Sequence, residues 1–292
     1  MNFIRYDSPV SMCDFGFDFS NERYKTKGMG RLTKKRKEVH FDINEITNGS
    51  ILYIKANFTD KLFEILPQIQ EKGIEIVLIT GRGDSYINQR DINHFMKFSC
   101  IGSWYRCNPV QLDHRIKFLP IGFTEEEREY GSQSTIENMY NRKINLDDKL
   151  DMIYVPHFSK TNDRRHSLID SFVEKYKDRC VIEENRLKYS DYLEKLSKFK
   201  YCLVLCGAGQ DVHRNYECLL TSTIPIMEHS NVRDYYQDLN IPIELYENFS
   251  GNVEFDSTHK DKLLYNYWYD MVKKDSDKLK KSEQANLEEE IK

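Results

Sequence analysis

The sequence predicts an α/β protein built from two Rossmann-like domains that face a cleft. Two observations carry that expectation. Apolar runs of strand length alternate with stretches whose apolar residues repeat at helical spacing. The alternation also occurs twice, before and after a charged region that ends near Asp148. Strands that alternate with helices form parallel sheets covered on both faces. Open sheets of this kind bind ligands beyond the carboxyl ends of their strands.

The elements follow in order. Residues 1–48 are polar and aromatic, with Gly28 and Gly30 in a loop, and show no clear period. Ile51 to Lys55 reads as a buried strand. Leu62, Phe63, Ile65, Leu66 and Ile69 place a helix over 59–71, and Gly73 ends it. Ile74 to Thr80 is the next strand, followed by the tight loop Gly81-Arg82-Gly83-Asp84. A helix is expected over 88–98 and a strand over Ile116 to Ile121, ended by Gly122. Residues 123–148 are charged and then helix-like. In the second half, Met152 to Pro156 is a strand. Asp163 to Asp178 is a helix with Leu168, Phe172 and Tyr176 on one face. Cys180 to Ile182 is a short strand. Ser190 is expected to cap a helix through Leu193 and Leu196. Tyr201 to Cys206 is a strongly apolar strand, and Ile224 to Met227 is another. A helix is expected over about 257–275, with Leu263, Leu264, Tyr267, Trp268, Met271 and Val272 in a stripe. The expected division is 1–148, 149–256 and a final helix with a charged tail over 257–292.

Composition narrows the function classes. With 39% hydrophobic and 31% charged residues, the chain reads as a soluble globular protein. Its net charge of -4 argues against a general nucleic-acid partner. Lys34-Lys35-Arg36-Lys37 is a local exception, read as a solvated loop or a weak anionic contact. The seven cysteines show no CxxC pair and no zinc spacing, which suits a reducing compartment. No signal-peptide pattern follows Met1, and no apolar run is long enough to span a membrane. A cytoplasmic location without a membrane span is therefore expected. The sequons at Asn48, Asn57 and Asn248 are read as chance.

The segment Tyr201 to Met227 carries most of the functional information. A strand runs into Gly207-Ala208-Gly209, whose small residues let a backbone approach a ligand. Asp211 is expected to cap the helix that follows. Amides at that helix start form an anion site. Arg214 adds a fixed charge and a donor fork suited to phosphate. Glu217 lies three residues on, on the same helix face, and could accept hydrogen bonds from ribose hydroxyls. The plainer alternative is a surface ion pair between Arg214 and Glu217.

These residues resemble the carboxyl-terminal signature of the exostosin-like glycosyltransferases. The matching positions are Asp211, His213, Arg214, Tyr216, Glu217, Leu219, Ile224, Pro225 and Ile226. Upstream, Tyr154-Val155-Pro156-His157-Phe158-Ser159 and Lys117-Phe118-Leu119-Pro120-Ile121-Gly122-Phe123 also resemble that family. The resemblance covers about residues 74–230. It departs at Thr221-Ser222-Thr223, where the family usually has a small residue, and in the missing amino-terminal anchor. It implies a GT-B type fold, with an acceptor-binding domain over 1–148 and a nucleotide-sugar-binding domain over 149–256. It also implies an inverting transferase without an essential metal or other cofactor. The implied donor is a UDP-sugar, such as UDP-xylose or UDP-hexose, and the implied acceptor is an oligosaccharide or glycoprotein glycan. A soluble member of microbial or large-virus origin fits that picture.

Other residues complete the expected site. Arg164 and Arg165 start a helix after the Tyr154 strand, so one of them is expected on the diphosphate. His213 could donate to phosphate or sugar, or simply pack. Inversion needs a base for the acceptor hydroxyl. Asp84, at the carboxyl end of the Ile74 strand, is the first candidate, unless it only forms the turn. Glu125, Glu126 and Glu127 are read as an exposed charge run. Trp104 and Tyr105 could stack on an acceptor sugar or pack in the core. No GxxxxGK[ST] or GxSxG motif occurs, and the glycines lack dinucleotide spacing, so NAD is not expected. A second class remains open: a non-catalytic sugar- or nucleotide-binding interaction protein with the same fold.

Overall fold

The computed structural model describes residues 1–17, 43–82, 87, 89–109 and 113–290. Gly83, Asp84 and the basic run Lys34 to Lys37 lie outside the described residues. The chain divides into two compact units. The amino-terminal unit holds residues 7–107, 111–119 and 268–292, and the carboxyl-terminal unit holds 1–6, 108–110 and 120–267. Each contains a five-stranded parallel sheet, consistent with two Rossmann-like domains.

In the amino-terminal unit the elements are β1 (Phe15–Phe17), β2 (Ile51–Lys55), α1 (Lys61–Glu71), β3 (Ile76–Gly81), α2 (Gln89–Phe95), β4 (Ile101–Arg106) and β5 (Ile116–Phe118). The strands pair in sequence order, β1-β2-β3-β4-β5. β3 is buried at every position, as expected of an inner parallel strand. The sequence reading missed β1 and β4. In β4, Gly102 and Ser103 interrupt the apolar run, so the period was not visible. Its Trp104 and Tyr105 are both core residues, at 0% and 1% exposure.

The carboxyl-terminal unit adds α3 (Gln133–Tyr140), β6 (Leu150–Val155), α4 (Arg164–Lys175), β7 (Cys180–Ile182), α5 (Tyr189–Leu196), β8 (Phe199–Val204), α6 (His213–Leu220), β9 (Ile224–Met227), α7 (Asn231–Asp238) and β10 (Glu244–Leu245). The strand order is β10-β9-β8-β6-β7. One face of this sheet buries Ile153, Val155, Leu203 and Ile226 against Phe172 and Leu168 of α4. The helix start expected at Ser190 falls earlier. α5 begins at Tyr189 with Lys188 at its N-cap, and that cap has no side-chain bond.

Residues 120–148 group with this second sheet, so the division does not fall at Asp148. The amino terminus explains why. Phe123 N donates to Ile4 O at 2.9 Å and Tyr6 N donates to Phe123 O at 2.8 Å. Buried Arg5 donates from Nη1 to the carbonyls of Thr124 and Gly131, at 2.8 Å each. Gly122 lets the chains approach this closely. Its φ is +63°, and a Cβ there would lie 2.2 Å from Ile4 O.

The last helix, α8 (Tyr265–Glu290), is longer than expected. Residues 257–263 form a 3-10 turn instead of its first turns. From Trp268 onward α8 belongs to the amino-terminal unit. Its Asp275 accepts from Tyr105 Oη at 2.8 Å, and Ser276 Oγ donates to Gly49 O at 2.6 Å. No described helix is long and apolar enough to cross a membrane.

Gly122→Ala is expected to destabilise the protein by about 2 kcal/mol or more, from the positive φ and the clash together. Urea unfolding against wild type measures it, and an unchanged midpoint would refute the need for glycine at this close approach to Ile4.

Candidate functional site

In the carboxyl-terminal sheet, β6 has its sequence successor β7 on one side and β8 on the other. The direction of strand addition reverses between β6 and β8. At such a switch point the loops leaving the two strands part and open a crevice. The loops here are residues 156–163 and 205–212.

Arg165, the second residue of α4, ties these loops together. Its Nε donates to Cys206 O at 2.9 Å and its Nη2 to Leu205 O at 3.0 Å. Nη1 donates to Ser159 O at 3.1 Å and Thr161 Oγ1 at 2.9 Å. Asn162 Nδ2 also donates to Cys206 O, at 3.2 Å. These carbonyls lie past the end of β8, so the β-ladder does not satisfy them. Burial, together with the nearby positive charge of Arg214, lowers the Arg165 pKa to about 10. Arg165 is thus a loop staple, and of the two arginines, one of which is expected on a diphosphate, Arg164 is the exposed one.

Arg214, on the first turn of α6, is half-buried. Its guanidinium lies 4.3 Å from the centre of the Phe158 ring, which also contacts Arg165 at 5.3 Å. Nη2 donates to His157 O at 3.0 Å. The buried Nε has no hydrogen-bond partner. Burial opposes the Arg214 charge, but Tyr192, Cys202 and Glu217 around it outweigh that and raise its pKa. A planar cation stacked on a ring, with an N–H unsatisfied, suits an oxyanion ligand.

Glu217 is buried, and its Oε2 accepts from Tyr192 Oη at 2.9 Å. Burial raises its pKa to about 7, against the Arg214 charge and the Tyr192 hydroxyl. Tyr192 hydrogen-bonds this buried carboxylate and the Arg214 charge acts on it as well, so the pair is not a simple surface ion pair.

The glycines serve a different purpose from the one expected. Gly207 N donates to Gly209 O at 2.9 Å, closing a tight turn. A Cβ on Gly207 would lie 3.1 Å from Arg165 Nη2, and one on Gly209 would lie 2.9 Å from Asn108 Nδ2. What approaches the backbone is the protein's own polar side chains. Asp211 is likewise not the helix cap. α6 starts at His213 with Val212 as N-cap. Asp211 accepts from Ile121 N at 2.9 Å, from Asn215 Nδ2 at 3.1 Å and from Tyr216 Oη. Burial raises its pKa to about 6, against those bonds. His213 donates from Nδ1 to Gly122 O at 2.7 Å, and its ring meets Tyr6 edge-on.

Arg164 is 73% exposed and reaches to 3.8 Å from Glu228 Oε2. Glu228 follows β9 directly and its Oε1 accepts from Cys206 N at 2.7 Å. The sequence reading gave no role to Glu228, Phe158 or Tyr192. Position alone could have suggested Glu228, since it is a carboxylate at the carboxyl end of a predicted strand.

Trp104 and Tyr105 are not placed to stack on a sugar. Trp104 donates from Nε1 to Thr80 Oγ1 at 3.0 Å, and Tyr105 Oη donates to Met271 O at 3.1 Å and to Asp275. Both lie on an inner strand covered by helices, which is why their rings face the core. Glu125 is buried and paired with Arg128 at 2.9 Å, unlike the exposed Glu126 and Glu127.

No protein-family model matches this chain, and no curated protein matches it.

Two outcomes are expected. Arg165→Ala leaves buried carbonyls unsatisfied and should cost about 3 kcal/mol in chemical unfolding; a loss within error would remove its stapling role. Glu217 has a raised folded-state pKa, so its contribution is complete below about pH 4.5 and lost as pH rises through about 7. Glu217→Gln should therefore flatten the stability profile across that window, relative to wild type.

Proposed function

We propose that this protein is a glycosyltransferase that binds a nucleoside diphosphate sugar at the carboxyl ends of β6 and β8. The observation that carries the reading is Arg214, stacked on Phe158 with a buried N–H unsatisfied, at a switch point where phosphate ligands bind in sheets of this order. Exposed Arg164 adds a second cation to that end of the unit. The exostosin-like resemblance favours a sugar nucleotide over other diphosphates, with a UDP-sugar as donor and a glycan hydroxyl as acceptor. Two parallel α/β units accord with a GT-B type architecture.

In the proposed inversion, a base takes the acceptor proton as the acceptor oxygen bonds to the anomeric carbon. The bond from that carbon to the diphosphate oxygen breaks on the opposite side. The electron pair leaves with the diphosphate, whose growing charge Arg214 balances. Asp84 is the proposed base on its sequence position.

The test is a thermal shift with UDP, GDP and their sugar conjugates, with and without chelator. A ligand at a hundred times its Kd adds about 2.7 kcal/mol to the folded state. The shift is expected with one diphosphate, unchanged by chelator and absent in Arg214→Ala. Absence of any shift at millimolar nucleotide would overturn the donor site. Asp84→Asn is expected to keep the shift and lose sugar transfer; retained turnover would reject that base.

A further inference from the structure

One turn along α6 from Arg214, the Glu217 carboxylate is buried where α6 meets α5. Among the described residues, one hydrogen bond reaches it, from the Tyr192 hydroxyl at 2.9 Å. Arg214 directs its Nη2 to His157 O and stacks its guanidinium on Phe158. It therefore acts on Glu217 through space and not through a direct bond. The groups that bear on the Glu217 charge are Arg214 and Cys218 of α6 and Tyr189 and Tyr192 of α5. Tyr189 in turn feels Arg5 and Tyr130, and Cys218 feels Cys202. Burial keeps the thiol and both phenols protonated and neutral. Of the four, only Arg214 is a cation.

A buried carboxylate that lacks a compensating cation takes a proton instead. Glu217 is already close to that point. Burial raises its pKa to about 7, and the Arg214 charge and the Tyr192 bond are what oppose the rise. An anion seated on Arg214 offsets the first of these and adds its own repulsion. Tyr192 suits both forms, because a phenol donates to a carboxylate and accepts from a carboxyl O–H.

We infer that a phosphate anion held by Arg214 is bound together with one proton, which Glu217 takes up from solvent. This rests on the donor-site reading and adds a proton-linked control to that site. The effect is reciprocal: bound anion strengthens the hold of Glu217 on its proton, and protonated Glu217 strengthens anion binding by the same factor. The sign follows from the free state. Below about pH 7 Glu217 already carries the proton, so affinity does not depend on it. Above that, each binding event draws in a proton, and affinity falls by up to about tenfold per pH unit. Nucleotide is therefore held on the acid side and released as pH rises.

Titration calorimetry of the full chain with UDP, GDP and inorganic pyrophosphate tests this, in buffers of different ionisation heat so that protons are counted. Running the same ligand against Glu217→Gln cancels the ligand's own titration. At about pH 7.5 wild type is expected to take up roughly half a proton more per ligand than Glu217→Gln. Its affinity relative to the variant is expected to fall about threefold to tenfold from about pH 6.5 to about pH 8. Equal proton uptake by the two overturns the coupling. Tyr192→Phe removes a bond that favours the carboxylate, and is expected to move the uptake to higher pH. Uptake that stays at the same pH in Tyr192→Phe also overturns the coupling, and this arm stands even if Glu217→Gln does not fold. Binding that is lost in Arg214→Ala, with equal uptake by wild type and Glu217→Gln, leaves the donor site standing while the coupling fails. Absence of binding by every probe overturns both.

Discussion

Everything at the candidate site depends on how two carbonyls beyond the end of β8 are satisfied. Leu205 and Cys206 have left the ladder; Leu205 stays in the core and Cys206 is half-buried. Arg165 supplies donors to both, and Glu228 accepts the Cys206 amide from the other side. One peptide is therefore held by a cation from α4 and an anion from the end of β9. That fixes the loop to Gly207, and with it the start of α6.

A second set of bonds orients α6 itself. Asp211 collects an amide, an amide side chain and a phenol, and Asn108 Oδ1 accepts the Asp211 amide at 2.6 Å. His213 is held to Gly122 O. The Asp-x-His-Arg stretch thus contains two residues that build the turn and one, Arg214, that the turn presents. Three arginines and the carboxylates of Glu217 and Glu228 gather near the switch point. Arg164 and Arg214 stand beside an already cationic Arg165, and the charge of Arg214 lowers the pKa of Arg165.

Much of the architecture was legible. Ile51 to Lys55, Cys180 to Ile182 and Ile224 to Met227 are strands as their apolar runs indicate. Failures came where local pattern and tertiary setting disagree. β4 carries Gly102 and Ser103 at positions that other elements cover, so its burial has no periodic trace. β10 has only two residues and forms because β9 offers it an edge. Gly207 and Gly209 looked like room for a ligand because glycine marks close approach without saying what approaches.

By itself the sequence determined the alternating α/β pattern, the strand that leads into Gly207 and the presence of Arg214 on the helix after it. Those features follow from residue spacing along one element, and spacing is local. Tertiary structure alone decided the roles within the set. Arg164 and Arg165 are neighbours of one type, yet one is exposed and the other is bound to four residues. Glu217 and Glu228 differ in the same way, one held by Tyr192 and one by the Cys206 amide beside the exposed Arg164. The physical reason is that a charged group's role depends on which unsatisfied partners lie within about 3 Å of it, and folding brings those partners from distant parts of the chain.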